Sequence, residues 1–141
     1  MQDIVAHITK PKPHIKLTAS IDYSGQFCLN TIMCFAELGS VKNEVLVALI
    51  NSKFISFYYY YFVFNQAIRT MHFMPGYADI LPIPLNIYTN QNAIIEKVNQ
   101  ILDLKKEDSK ADTSELEAEI DRMVYELYEL TEEEILIVEG K

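Results

Sequence analysis

Hydrophobic and polar positions divide the chain into three stretches of different period. The first, within residues 1–42, carries strand signals. In His14-Ile15-Lys16-Leu17-Thr18-Ala19 the residues Ile15, Leu17 and Ala19 fall on one face and His14, Lys16 and Thr18 on the other, which predicts a half-buried strand. Just before it, Lys10-Pro11-Lys12-Pro13 forces extended or edge backbone, because proline has no donor for a central ladder. Asp22-Tyr23-Ser24-Gly25 has the composition of a turn. Residues 26–35 return as a second strand with Phe27, Leu29, Thr31 and Met33 facing one way. A hairpin joins the two economically and leaves one polar, mildly basic face.

The second stretch is an apolar and aromatic run from Val45 to Phe64, interrupted only by Asn51, Ser52, Lys53 and Ser56. A helix is predicted to begin after Gly39-Ser40, with Ser40 or Asn43 as its cap and Glu44 in its first turn, and to finish near Asn65. About 20 apolar residues would span a bilayer. A lysine near the centre of such a span, however, costs about 2.5–3.5 kcal/mol on insertion scales, so a helix buried on most sides by a small sheet is the better expectation. At helical spacing in that run, Tyr58–Tyr61 are expected to pack in the core and not to serve as a base-stacking platform. A loop over residues 66–77 follows, and then Leu81-Pro82-Ile83-Pro84-Leu85, where two prolines forbid helix.

From Thr89 the period becomes 3.6. Ile94, Ile95, Val98, Ile101 and Leu102 form one stripe on a helix that Thr89 or Asn90 can cap. After a polar connector, Ser114-Glu115-Leu116-Glu117 reads as a capping box, and Leu116, Ile120, Met123, Val124, Leu127 and Tyr128 repeat the stripe. Thr131-Glu132-Glu133-Glu134 opens a last short helix carrying Ile135 and Val138. The expected fold is α+β: a small antiparallel sheet or hairpin packed on a long buried helix (residues 1–88), followed by an antiparallel helical pair (residues 89–141) that packs on the core or forms a dimer.

Charge sharpens this division. The net charge of −8 argues against nucleic acid binding over the whole surface. Residues 1–72, however, hold six basic residues against four acidic, whereas the remainder holds six against sixteen. An anionic partner should therefore meet the N-terminal half. Cys28 and Cys34 would lie roughly 20 Å apart in extended chain and so cannot pair without a turn. Reduced, buried thiols in a cytoplasmic protein are expected. No basic segment with a small-residue cleavage site opens the sequence, so secretion is not expected.

Three groups of residues carry a resemblance: Leu49-Ile50-Asn51-Ser52-Lys53 leading into Phe57-Tyr58-Tyr59; Leu81-Pro82-Ile83-Pro84; and Ile120-Asp121-Arg122-Met123-Val124-Tyr125-Glu126-Leu127-Tyr128 with Leu130-Thr131-Glu132-Glu133-Glu134-Ile135. In this order they resemble the TaqI-like C-terminal specificity domain, or target recognition domain, of type II restriction-modification enzymes. They are also similar to the recognition domains of type I specificity subunits. The resemblance covers the chain from about Lys10 onward. It implies a fragment that reads double-stranded DNA for a catalytic methyltransferase or endonuclease region lying elsewhere, with S-adenosylmethionine and Mg2+ belonging to that parent enzyme.

Nothing in the sequence supplies catalysis locally. The Asn/Asp-Pro-Pro-Tyr/Phe tetrapeptide of adenine methyltransferases is missing, as are a glycine-rich cofactor loop and a carboxylate-lysine nuclease cluster. His7, His14 and His72 are too scattered to propose zinc.

Lys10, Lys12, His14, Lys16 and Gln26 are candidates for DNA contact along the hairpin. Edge-strand charges also simply discourage aggregation. Arg69 could read guanine, with Asn65, Gln66 and His72 nearby, or else cap the helix or pair with Asp79. The rival reading is a protein-interaction module that uses the acidic helices and touches no DNA.

Overall fold

In the computed structural model the described residues are 1–25, 31–34, 39–67, 71–89 and 91–141. The sheet is built around a strand that alternation does not single out, β1 (Ile4–Ile8), with β2 (His14–Lys16) on one side and β3 (Met71–His72) on the other, both antiparallel. His7 stands opposite Ile15, and Ile4 opposite His72. The hairpin expectation is therefore corrected among the described residues: β2 pairs with β1 across the proline-rich turn, and the described part of the second segment lies against the start of the chain. Of that second segment, Ile32 bridges Gln2, and Asp3 N–H donates to Thr31 O at 3.0 Å. Residues 26–30 and 35–38 lie outside the described residues. The predicted faces of β2 hold, with Ile15 and Leu17 buried and His14 and Lys16 exposed.

The apolar run forms two helices, not one. α1 (Asn43–Asn51) and α2 (Lys53–Tyr58) meet at Ser52, whose ψ of 152° is extended. Ser52 ends the first helix by donating from Oγ to Leu49 O at 2.7 Å, and it starts the second by accepting from Ile55 N–H. A serine side chain can replace the backbone bonds that a helix end forgoes, which is why the polar interruption becomes a break. Asn51 turns outward and clasps the backbone of Ala19 through both its side-chain atoms, at 2.7 and 3.0 Å. Ser56 Oγ accepts from Leu17 N–H. These polar residues thus stitch the helices to the extension of β2.

α2 runs on into a π-helical turn (Tyr59–Val63), which Asn65 and Gln66 terminate with φ of 49° and 57°. Two consecutive left-handed residues without glycine stop a helix decisively. Tyr59 and Tyr60 are buried, whereas Tyr61 is 40% and Phe62 71% exposed, so the aromatic run is core on one face only.

The expected caps shift slightly. Lys42, with no side-chain cap bond, precedes α1, so neither Ser40 nor Asn43 caps it. Thr113, not Ser114, precedes α5 (Ser114–Leu127), and its hydroxyl donates to Glu117 at 2.7 Å. α3 (Pro75–Ala78) and a 3-10 turn (Leu85–Thr89) lead to α4 (Gln91–Glu107). Thr131 and Glu134 do form the predicted capping box at α6 (Glu132–Val138). α4 and α5 pack antiparallel, and Lys97 pairs with Glu119 between them at 2.6 Å. α4 lies along α1.

A single apolar cluster runs from Met1 and Val5 through Val45, Leu49 and Ile55 to Ile94, Val98, Ile120, Val124 and Leu127. Ile95, Ile101, Leu102 and Met123 pack against it partly buried, and Leu116 is half-buried. The residues around Pro-Ile-Pro are tied to the end of α5: Tyr128 OH donates to Pro82 O, and Asn86 Nδ2 donates to Leu127 O at 3.1 Å. Among the described residues no helix is long and apolar enough to cross a membrane.

Candidate functional site

Among the described residues β2 is an outer strand of the sheet, and Asn51 and Ser56, on either side of the break at Ser52, hold the helices against its extension. A cleft of about 780 Å³ is lined by β2 and its preceding turn, by α1, α2, α4 and α5, and by the end of α6. Its first wall is the β1–β2 turn and β2, carrying Lys12, His14 and Lys16. Phe57, Tyr60 and Tyr61 contribute aromatic surface, and Val47, Val98 and Ile101 contribute apolar surface. The facing wall comes from α5 and the end of α6 with Glu117, Asp121 and Glu139. The β1–β2 side thus carries bases and the side of α5 and α6 carries acids, with Lys105 of α4 also in the lining.

Lys53 stands where the walls meet. Its backbone N–H, exposed at the start of α2, donates to Asp121 Oδ1 at 2.9 Å, and its Nζ lies 3.3 Å from Asp121 Oδ2 and 3.8 Å from Glu139. One carboxylate therefore serves both an orphan donor of a helix start and the ammonium of the same residue. Burial pushes the Asp121 carboxyl up, against the pull of Lys53. Glu139, half-buried and hydrogen-bonded by Lys141, is held below its ordinary range. One turn on from Asp121, Tyr125 is buried with no hydrogen-bond partner for its hydroxyl among the described residues, and burial followed by the nearby Asp121 charge pushes its ionisation up. Such a hydroxyl stays protonated and is no base.

On the opposite wall, Lys12 Nζ donates to Gly140 O at 2.7 Å, and His14 Nδ1 donates to Lys12 O at 2.7 Å. Lys12, His14 and Lys16 therefore share one wall, as expected for one edge of a strand. Lys10 is exposed in the same turn without lining the cleft. Asn65 and Gln66 are exposed beyond the π-helical turn. His72 is on β3, donating from Nδ1 to Asp3 at 2.7 Å. These three do not line the cleft. Arg69 and Gln26 lie outside the described residues, as does Cys28. Cys34 is a free thiol and is exposed, which corrects the expectation of burial.

Sequence reasoning missed Lys53, Lys105 and Asp121 as members of the cleft. The signal available for Lys53 was its place in an otherwise apolar run. For Asp121 it was its position one residue beyond the apolar stripe of α5. No family model matches the chain, and comparison with curated proteins and with solved structures finds no match.

Proposed function

We propose that this chain is a DNA-contacting module, a target recognition domain that serves a catalytic part of a restriction-modification enzyme, and that the β1–β2 wall of the cleft is its contact surface. What carries the reading is the alignment of Lys12, His14 and Lys16 along one exposed edge, with Lys53 and the aromatic rings of Phe57 and Tyr61 beyond them. Ammonium groups spaced along a strand can follow a phosphate backbone, and exposed rings offer faces to unpaired or edge-presented bases. Lys10, in the same turn, extends the basic edge. The acidic wall restricts an anion to that edge and orients it. Arg69, Asn65, Gln66 and His72 belong to the base-reading part of the proposal, and Gln26 to its polar margin.

The rival reading, dimerisation through the helical stripes, has less support. Ile94, Val98, Ile120, Val124 and Leu127 are buried in this chain's own core.

The test is filter binding of duplex DNA at two salt concentrations, comparing the wild type with Lys12→Ala, Lys16→Ala and Arg69→Ala. Each lost phosphate contact should lower the salt slope by about one and weaken binding to all sequences alike. Loss of discrimination between sequences by Arg69→Ala would mark base reading. Unchanged affinity and slope in all three variants would overturn the assignment.

A further inference from the structure

The residues that the proposed contact needs are already occupied, and the occupant belongs to the same chain. Gly140 O takes the Lys12 ammonium and Glu139 approaches Lys53, so the end of α6 lies across the meeting point of the two walls. We propose that α6 with Glu139–Lys141 is an acidic latch: it holds Lys12 and Lys53 in the free protein and is displaced when a polyanion takes them. This rests on the DNA-contact reading for the identity of the polyanion, but not for the latch itself.

Four observations point to a segment that can leave. No residue of α6 is buried, and Leu136 and Ile137 are 48% and 60% exposed, so its release gives up little apolar contact. The helix is self-contained at its start, where Thr131 and Glu134 cap each other and draw on no other element. It is joined to α5 through Glu129, whose φ of 55° makes a sharp turn at which the direction of the chain already changes. Finally, Lys53 keeps Asp121 when Glu139 departs, so no buried charge is stranded and the joint between α2 and α5 survives.

The tether is electrostatic. Glu132, Glu133, Glu134 and Glu139 give the segment an acidic excess over Lys141, and its end meets Lys12 of a basic turn. Exposed attractions of this kind weaken with salt and yield to a denser anion. In this scheme the apparent affinity for the polyanion is reduced by the fraction of protein in which the latch is closed.

The experiment compares the full chain with Thr131→Ala/Glu134→Ala, which removes the cap of α6, and with Glu139→Gln, which removes the partner of Lys53. Glu133→Gln, on the exposed side of the same helix, controls for charge alone. Binding of a short DNA duplex and, separately, of a heparin oligosaccharide is measured, together with amide hydrogen exchange of residues 131–141. The expected result is binding about fivefold tighter in the cap variant. Glu139→Gln should also bind tighter than Glu133→Gln. In the wild type, exchange over residues 131–141 should accelerate when ligand is added.

If duplex binds the wild type but exchange does not accelerate and the variants bind no tighter, the latch is overturned and the DNA reading stands. Heparin binding with latch release but no duplex binding would support the latch and overturn the DNA reading. Failure of both polyanions to bind any of the proteins would overturn both.

Discussion

Helices α5 and α6 are written in similar terms. Each follows a threonine, each carries acidic residues in its first turn, and each repeats apolar residues at helical spacing. Yet α5 buries Ile120, Asp121, Val124, Tyr125 and Leu127, while α6 buries nothing. The difference lies in length and surroundings. With 14 residues α5 can set its stripe against both α4 and α2, whereas the 7 residues of α6 meet chiefly α2. An apolar stripe states what a helix can bury, and the neighbours decide what it does bury. One helix therefore belongs to the core and the other rests on it.

Damage to α5 should cost the most. Leu127→Ala removes a side chain 4% exposed, whose backbone carbonyl also anchors Asn86. Removal of a buried leucine typically costs about 2–5 kcal/mol, through lost transfer energy and the cavity left behind. Urea unfolding should show that loss as a lowered midpoint with an unchanged slope.

Asp121 ranks next, because it belongs to α5 yet closes the break between α1 and α2. Asp121→Ala leaves the Lys53 N–H without its acceptor and should cost about 1–3 kcal/mol in the same measurement. Asp121→Asn keeps an acceptor in place and should cost less. The two charge states separate with pH. Burial raises the folded-state value of this carboxyl above the ordinary 3.8, so from 3.8 upward the folded protein holds a proton that the unfolded chain has released. Stability contributed by this group is therefore present at low pH and lost as pH rises through the folded value. The wild type should lose stability relative to Asp121→Asn across that rise. A difference that stays flat with pH would show that Lys53 fully offsets the burial.

The contrast between the helices also marks how far the sequence could be read. The α+β class, the faces of β2, the antiparallel α4–α5 pair and the box at Thr131 were all legible, because each follows from local period or cap chemistry. The partner of β2 was not. Pairing depends on which strand arrives beside it, and β1 lies across a turn whose prolines suggested an edge rather than a junction. The break at Ser52 was visible as a polar interruption but not as a change of direction. Ser52 supplies the local half of the cause, and the other half is long-range: Asp121, 68 positions away from the Lys53 amide it accepts from, supplies a further acceptor for the second helix start. For the same reason the basic wall could be named from the alternation of Lys12, His14 and Lys16, while the acidic wall facing it could not. Those carboxylates come from two later helices, and only packing brings them opposite.

A substitution in α6 should cost least, and it bears most directly on how the two helices differ. Ile137→Ala in α6 is the counterpart of Leu127→Ala in α5, an apolar residue of an acidic helix, but one beside the stripe of Ile135 and Val138. Ile137 is 60% exposed and lines the cleft beside Val138, so truncating it removes little buried surface. Exposed substitutions away from caps and cores generally stay within about 0.5 kcal/mol. The global unfolding midpoint should therefore scarcely move. Local opening is a different quantity, since segments with few buried contacts open at free energies well below that of global unfolding. If α6 is held mainly by Lys12, Lys53 and its own cap, exchange of its amides should be fast in the wild type, accelerate with salt, and change little in Ile137→Ala. If Ile137 instead anchors the helix to α2, its truncation should accelerate exchange across 132–138 at every salt concentration, and the two helices would then differ in degree of packing, not in kind.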